Sequence, residues 1–175
     1  MSHSSPAAVL GRLAALDTAI CLRLRAGSDG PIRAVMVWAS RAGDGWAWLA
    51  LAIALPAIAG PSGWSTTLEM LGIGALSLPT YRLLKNTTAR PRPCATGNGL
   101  DAVLDPLDAY SFPSGHTLHA VAFTVAAGNS FPALLWLLVP LTLLIALSRL
   151  ALSLHYPSDV AAGAALGALI AWAVL

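Results

Sequence analysis

Five apolar runs separated by short polar segments leave this chain little choice of fold class. They cover residues 46–59, 66–84, 116–127, 132–147 and 160–175, and three of them carry no ionisable side chain. Hydrocarbon offers no partner to a backbone N–H or C=O, so a spanning segment must pair its own, as a helix does. Only 10% of the residues are charged and mean hydropathy is +0.70, whereas a soluble domain carries about 25% charged residues. The expected fold is therefore all-α: an integral membrane helical bundle of about five spanning helices. The first and third runs fall short of the ~20 residues of a full span, and flanking aromatic and small residues extend them. Trp46, Trp48, Trp64, Trp136 and Trp172 fall near the expected helix ends, as an interfacial aromatic belt does.

The N-terminal region has a different pattern. Over residues 7–25, Val9, Leu13, Leu16, Ile20 and Leu24 recur at helical spacing, while Arg12, Asp17, Arg23 and Arg25 take other faces. Such a segment lies in the interfacial plane. Ser28-Asp29-Gly30-Pro31 breaks it, and residues 32–42 form a second short amphipathic piece. The chain thus divides into interfacial amphipathic helices over 1–42 and a membrane-embedded domain over 43–175. The charged residues of the first helix interrupt any signal-peptide core. Positive charge flanks the apolar runs, which makes the bilayer the partner and gives no footing for nucleic acid. Cys21 and Cys94 lie far apart and outside any metal-ligand spacing, so both are expected as free thiols with no metal site.

Three polar clusters interrupt the apolar pattern. Lys85, Arg90 and Arg92 fall in one short segment with Pro91 and Pro93. Pro113-Ser114-Gly115-His116 opens the third apolar run. Ser148, Arg149, His155 and Asp159 lie between the fourth and fifth. If the runs cross in succession, the second ends on the face where 85–112 lies, the third leaves that face and the fourth returns to it. All three clusters then share one membrane face. Ionisable side chains kept at such a boundary mark a functional site by default.

The residue types fit an anion. Arg donates in a bidentate fork and Lys as a point charge to phosphate oxygens. Pro91 and Pro93 keep their segment extended, which points Arg90 and Arg92 the same way. Ser114 suits a helix N-cap, and the N–H groups that follow, near Gly115, form an anion site. His155 and Asp159, four apart at a helix start, can meet on one face. A carboxylate accepting from Nδ1 leaves the Nε2 lone pair free for nucleophilic or base chemistry. The plainer alternative for both helix starts is capping alone. Arg82 and Arg90 count as flanking charges, His119 as a packing residue beside His116, and Glu69, at the opposite end, as structural. The Asn86-Thr87-Thr88 sequon lies inside the basic cluster and is discounted.

The three clusters together resemble the type 2 phosphatidic acid phosphatase superfamily, which also includes soluble acid phosphatases and vanadium haloperoxidases. Its pattern is filled here by Lys85 with Arg92-Pro93, by Pro113-Ser114-Gly115-His116, and by Ser148-Arg149 with His155 and Asp159. The resemblance runs from about residue 43 to the C-terminus. Six-helix members have a further full span at the N-terminus, which the amphipathic pattern here does not match. The resemblance implies a lipid phosphatase in which His155 attacks phosphorus, Asp159 holds its ring and His116 is the general acid and then base. Lys85, Arg92, Arg149 and the N–H groups near Ser114 and Gly115 would bind the phosphate. With the positive charge supplied by the protein, it implies no cofactor and no metal.

The same phosphohistidine could instead pass to a lipid or sugar acceptor, as in a phosphotransferase, and a non-catalytic lipid-binding protein is a third possibility. Candidate substrates are undecaprenyl or another polyprenyl diphosphate, phosphatidylglycerol phosphate, phosphatidic acid and a phosphorylated glycolipid. The segment 94–112, with Asp101, Asp105 and Asp108, leaves little room for a headgroup-reading domain and favours small headgroups, a polyprenyl carrier first. Composition fits a bacterial inner membrane. The turns 60–65 and 128–131 hold no Lys or Arg, so the charge count makes the clusters' face cytoplasmic. The resemblance favours a periplasmic site, and that is the orientation expected.

Overall fold

A computed structural model describes residues 6–175. Its regular elements are the helices α1 (Pro6–Ala26), α2 (Gly30–Arg41), α3 (Ala47–Ala59), α4 (Pro61–Thr88), α5 (Gly115–Ser130), α6 (Leu135–Ala151) and α7 (Pro157–Val174). A kinked turn, Ala42–Trp46, joins α2 to α3, with Gly45 outside helical φ/ψ. The chain is an all-helical membrane bundle.

Helix α5 is the axis, packed against α4, α6 and α7. Its contact with α7 is closest because α7 presents glycines one turn apart. A Cβ on Gly163 would lie 2.5 Å from the Ser114 carbonyl oxygen, and one on Gly167 2.3 Å from that of Leu118. Small residues let membrane helices approach to backbone contact, where dispersion replaces the hydrophobic drive that lipid cannot supply. Leu55, Met70, Ile73, Ala122, Ala126 and Ala171 fill one side of the core, and Trp48, Ala120, Ala127, Leu138 and Ile145 the other. Polar side chains pair between helices: the Thr124 and Thr142 hydroxyls lie 2.7 Å apart, and Thr142 donates to the Ala120 carbonyl at 3.2 Å. Outward, Ile58, Trp136 and Trp172 are more than four-fifths exposed, which suits lipid rather than water as the solvent.

Among the described residues, three stretches are long and apolar enough to cross a membrane: Gly30–Ala59, Pro132–Ala151 and Pro157–Val174. The count of five is thus not reproduced by length and composition. Helix α4 carries Glu69, Arg82 and Lys85, and α5 has only 16 residues, about 24 Å at 1.5 Å per residue. The central helix is wrapped by protein and can afford polar positions. The first stretch also joins two segments that the sequence separates, since residues 32–42 lead into α3 through the kinked turn. Helix α1 packs on α6 and α7 with Cys21 fully buried.

Candidate active site

The polar ends of four helices converge. Helix α4 delivers Lys85, α5 starts at Gly115 and His116, α6 ends at Arg149, and α7 begins just after His155. A cavity of about 710 Å³ opens between them, lined by Lys85, Arg92, Gly115, His116, Arg149 and His155. Trp48, Tyr81 and Phe123 form its apolar wall. Ser114 and Asp159 lie beneath it, both fully buried.

Local chemistry sets each position. Helix α4 stops at Ala89, left-handed at φ 45°, whose N–H closes on the Lys85 carbonyl at 2.9 Å. The segment that follows is held extended where Ser111 N–H donates to the Arg90 carbonyl at 2.9 Å. Arg92 then turns inward. Its Nη1 donates to the Leu154 carbonyl at 2.6 Å and lies 3.2 Å from His155 Nε2. A guanidinium can only donate, so Nε2 is the acceptor and the His155 proton sits on Nδ1. Burial first, then the charges of Arg149, Arg92 and Lys85, hold the His155 imidazole well below its usual range. The ring is neutral near pH 7, with its lone pair toward the cations.

Asp159 departs from expectation. Its Oδ2 is 3.8 Å from His155 Nδ1, too far for a hydrogen bond, and Nδ1 has no hydrogen-bond partner. The reason is the helix boundary: Tyr156 is the N-cap of α7, so His155 precedes the helix and four-residue helical adjacency does not apply. Asp159 sits at the third helical position and accepts from the Tyr156 N–H at 2.8 Å and from Arg90 Nη1 at 2.6 Å. Arg90 is therefore more than a flanking charge. It also reaches Asp17 of α1 at 2.8 Å and stacks over the Tyr156 ring at 4.3 Å.

Ser114 is the N-cap of α5, as its residue type implies, and its hydroxyl lies 3.0 Å from that of Thr117. Its own N–H is not available to a ligand, because it donates to the Asp159 carbonyl at 3.0 Å. The unpaired donors of a helix start thus begin at Gly115. His119 also lines the cavity, but its Nδ1 lies 2.9 Å from the Gly115 carbonyl oxygen and its ring packs between Tyr81 and Phe123.

Four partners were not legible in the sequence. Asp108 Oδ1 lies 2.7 Å from both Lys85 Nζ and Arg92 Nη2. Burial pushes the Asp108 carboxyl up, but the hydrogen bond and charge of Lys85 and the charge of Arg92 outweigh it and hold it below the usual carboxylate range. Asp44, in the kinked turn between α2 and α3, lies 2.6 Å from His116 Nε2. Ser40 of α2 accepts from Arg149 Nη1 at 2.5 Å. Asp17 accepts from the Ser158 N–H at 3.1 Å. Arg149 itself is only 3% exposed, its Nε has no partner, and it makes no ion pair among the described residues.

Comparisons with known proteins follow the same outline. The PAP2 superfamily profile matches residues 64–175. The decaprenylphosphoryl-5-phosphoribose phosphatase of Mycobacterium tuberculosis, in two strains, is 36% identical over 133 residues, spanning 72% of this chain and 67% of the relative. The crystal structure of a transmembrane PAP2-type phosphatidylglycerolphosphate phosphatase from Bacillus subtilis superposes with a TM-score of 0.76 at 23% identity, covering 93% of this chain and 84% of its own. That of Aquifex aeolicus LpxE superposes with a TM-score of 0.74 at 20% identity, covering 91% and 94%.

Proposed function

We propose the following reaction for this chain, which belongs to the PAP2 superfamily and is an integral membrane phosphatase: hydrolysis of a lipid phosphate through a phosphohistidine on His155. Arg149 carries the argument. A buried guanidinium with no carboxylate in direct contact is costly. This one faces a cavity with Lys85, Arg92 and a neutral histidine, where the more distant Asp108 and Asp44 offset only part of the positive charge. A dianionic phosphoryl group would supply the missing counter-charge.

His155 Nε2 attacks phosphorus as the bond to the lipid oxygen breaks. His116 protonates that oxygen. Lys85, Arg92, Arg149 and the Gly115 N–H neutralise the equatorial oxygens, a preorganised field that is commonly the largest catalytic term. The imidazolium formed on His155 keeps its Nδ1 proton toward Asp159, and shortening of that 3.8 Å gap would stabilise it. His116 then takes a proton from water, which attacks phosphorus and releases inorganic phosphate. Three protein cations serve the role of a metal, so none is required.

The substrate is a lipid with a small phosphorylated headgroup, a polyprenyl carrier first. The likeness to the mycobacterial decaprenylphosphoryl-5-phosphoribose phosphatase and the apolar wall of Trp48, Tyr81 and Phe123 support this. The segment up to residue 42 anchors the domain 43–175, with Asp17 and Ser40 reaching across that boundary. The site faces the periplasm of a bacterial inner membrane. The test is release of inorganic phosphate by purified protein, in excess chelator, from polyprenyl phosphosugars, polyprenyl diphosphate, phosphatidylglycerol phosphate and phosphatidic acid. Highest turnover on a polyprenyl substrate is expected. No release from any, or release only after Mg²⁺ is added, would overturn the assignment, and transfer to an added alcohol in preference to water would make the protein a phosphotransferase.

A further inference from the structure

The junction between α2 and α3 is built to press a carboxylate against His116. Its sequence is Gly43-Asp44-Gly45, at a kink where Gly45 leaves helical φ/ψ between the two helices. Both glycines are needed. A Cβ on Gly43 would lie 2.9 Å from His116 Cδ2 and 3.0 Å from Ile145 Cγ2, so only glycine lets the backbone approach the ring this closely. Gly45 has φ 120°, a conformation costly for any residue with a Cβ. The result is Asp44 Oδ1 at 2.6 Å from His116 Nε2, across 72 residues of sequence.

We propose that Asp44 is a positioning residue for His116: its carboxylate fixes the imidazole and stabilises its charged form, so that the ring can act as acid toward the leaving oxygen and as base toward water. This rests on the phosphohistidine reaction above. With Nε2 held by Asp44, Nδ1 is the nitrogen that exchanges the proton. Other titratable groups facing His116 include Arg149 from α6 and His119 one turn along α5, with His155 across the cavity. Arg149 and His119 oppose a second positive charge, and Asp44, through its hydrogen bond, favours it. The proton balance is simple. In the first step the Nδ1 proton moves to the lipid oxygen as the P–O bond breaks, and in the second Nδ1 recovers a proton from the attacking water.

The test compares Asp44→Asn, Asp44→Ala and Asp44→Glu with the parent protein in detergent. It measures phosphoenzyme formation in a single turnover from two substrates: a lipid alkyl phosphate, whose leaving oxygen needs a proton, and p-nitrophenyl phosphate, whose leaving group does not. Loss of assisted proton transfer should slow the alkyl substrate by about 10²-fold in Asp44→Asn, since such assistance is typically worth 10²–10⁴-fold. The p-nitrophenyl substrate should change by less than about threefold, KM should hold, and Asp44→Glu should recover part of the alkyl rate. Equal losses on both substrates would show a merely structural role and overturn the proposal, as would unchanged rates on both. If the parent protein forms no phosphoenzyme at all, it is the underlying reaction that fails.

Discussion

Replacing Asp108 by Asn should make the site hold anions more tightly. One oxygen of Asp108 bridges Lys85 and Arg92 at 2.7 Å each, the position that a phosphate oxygen would take between the same two cations. The carboxylate therefore competes with the substrate and must withdraw before phosphate can bind. Two charge-assisted hydrogen bonds in a dry site would be worth ~3–6 kcal/mol together. The Asp108 side chain is 40% exposed, however, and a displaced carboxylate recovers water, so each contact is closer to a surface ion pair of ~0.5 kcal/mol. The net gain on removing the competitor is about 1 kcal/mol, or roughly fivefold in affinity. The assay is competitive inhibition by orthovanadate and inorganic phosphate at fixed ionic strength. The pH dependence has a definite sign. Because the folded carboxyl is held below its usual range, the contact is present above the normal carboxylate pKa and lost only as pH falls through the folded value. The difference between variant and parent should therefore be constant over about pH 5 to 8. Weaker anion binding in Asp108→Asn would refute the reasoning, and would mean that Asp108 organises the cations instead of competing for them.

Arg149→Met should abolish turnover and yet raise the melting temperature, because it removes a buried cation with no ion-pair partner among the described residues; thermal unfolding in detergent checks this, and a fall in melting temperature would contradict it. Gly163→Ala should cost about 1–3 kcal/mol, since its Cβ would meet the Ser114 carbonyl oxygen at 2.5 Å; the urea midpoint reports it, and Ala at Gly72, with only a side-chain contact at 4.0 Å, is the control. A single thiol at Cys94, in a Cys21→Ser background, should react with an impermeant maleimide in intact spheroplasts if the site faces the periplasm. Protection until permeabilisation would make it cytoplasmic and favour the charge count.

The parts of the site that depend on spacing along one segment were legible. Lys85 and Arg92, the Pro113 to His116 helix start and the Arg149, His155 and Asp159 cluster could be assigned to helix ends on one face by counting apolar runs. What was not legible depends on contacts between distant segments. Asp44 meets His116 at a glycine kink that no hydrophobic period reports. Asp108 was one of three acidic residues in a loop, and only tertiary structure shows which meets Lys85. The His155–Asp159 contact was misjudged because Pro157 moves the helix start past the histidine, and Arg90 was misjudged because its partners include Asp17 from the N-terminal helix. That helix looked like an anchor, since an interfacial pattern says nothing about which charged residue turns inward.

The central claim is that the phosphoryl group passes through His155. It is tested by quenching the protein with substrate carrying radiolabelled phosphate and locating the label. The expected result is an acid-labile, base-stable phosphoramidate on His155 that is absent from His155→Ala and accumulates in His116→Ala when p-nitrophenyl phosphate is the donor. Labelled enzyme persisting in His155→Ala, or phosphate released by the parent protein with no labelled enzyme at any time, would contradict it.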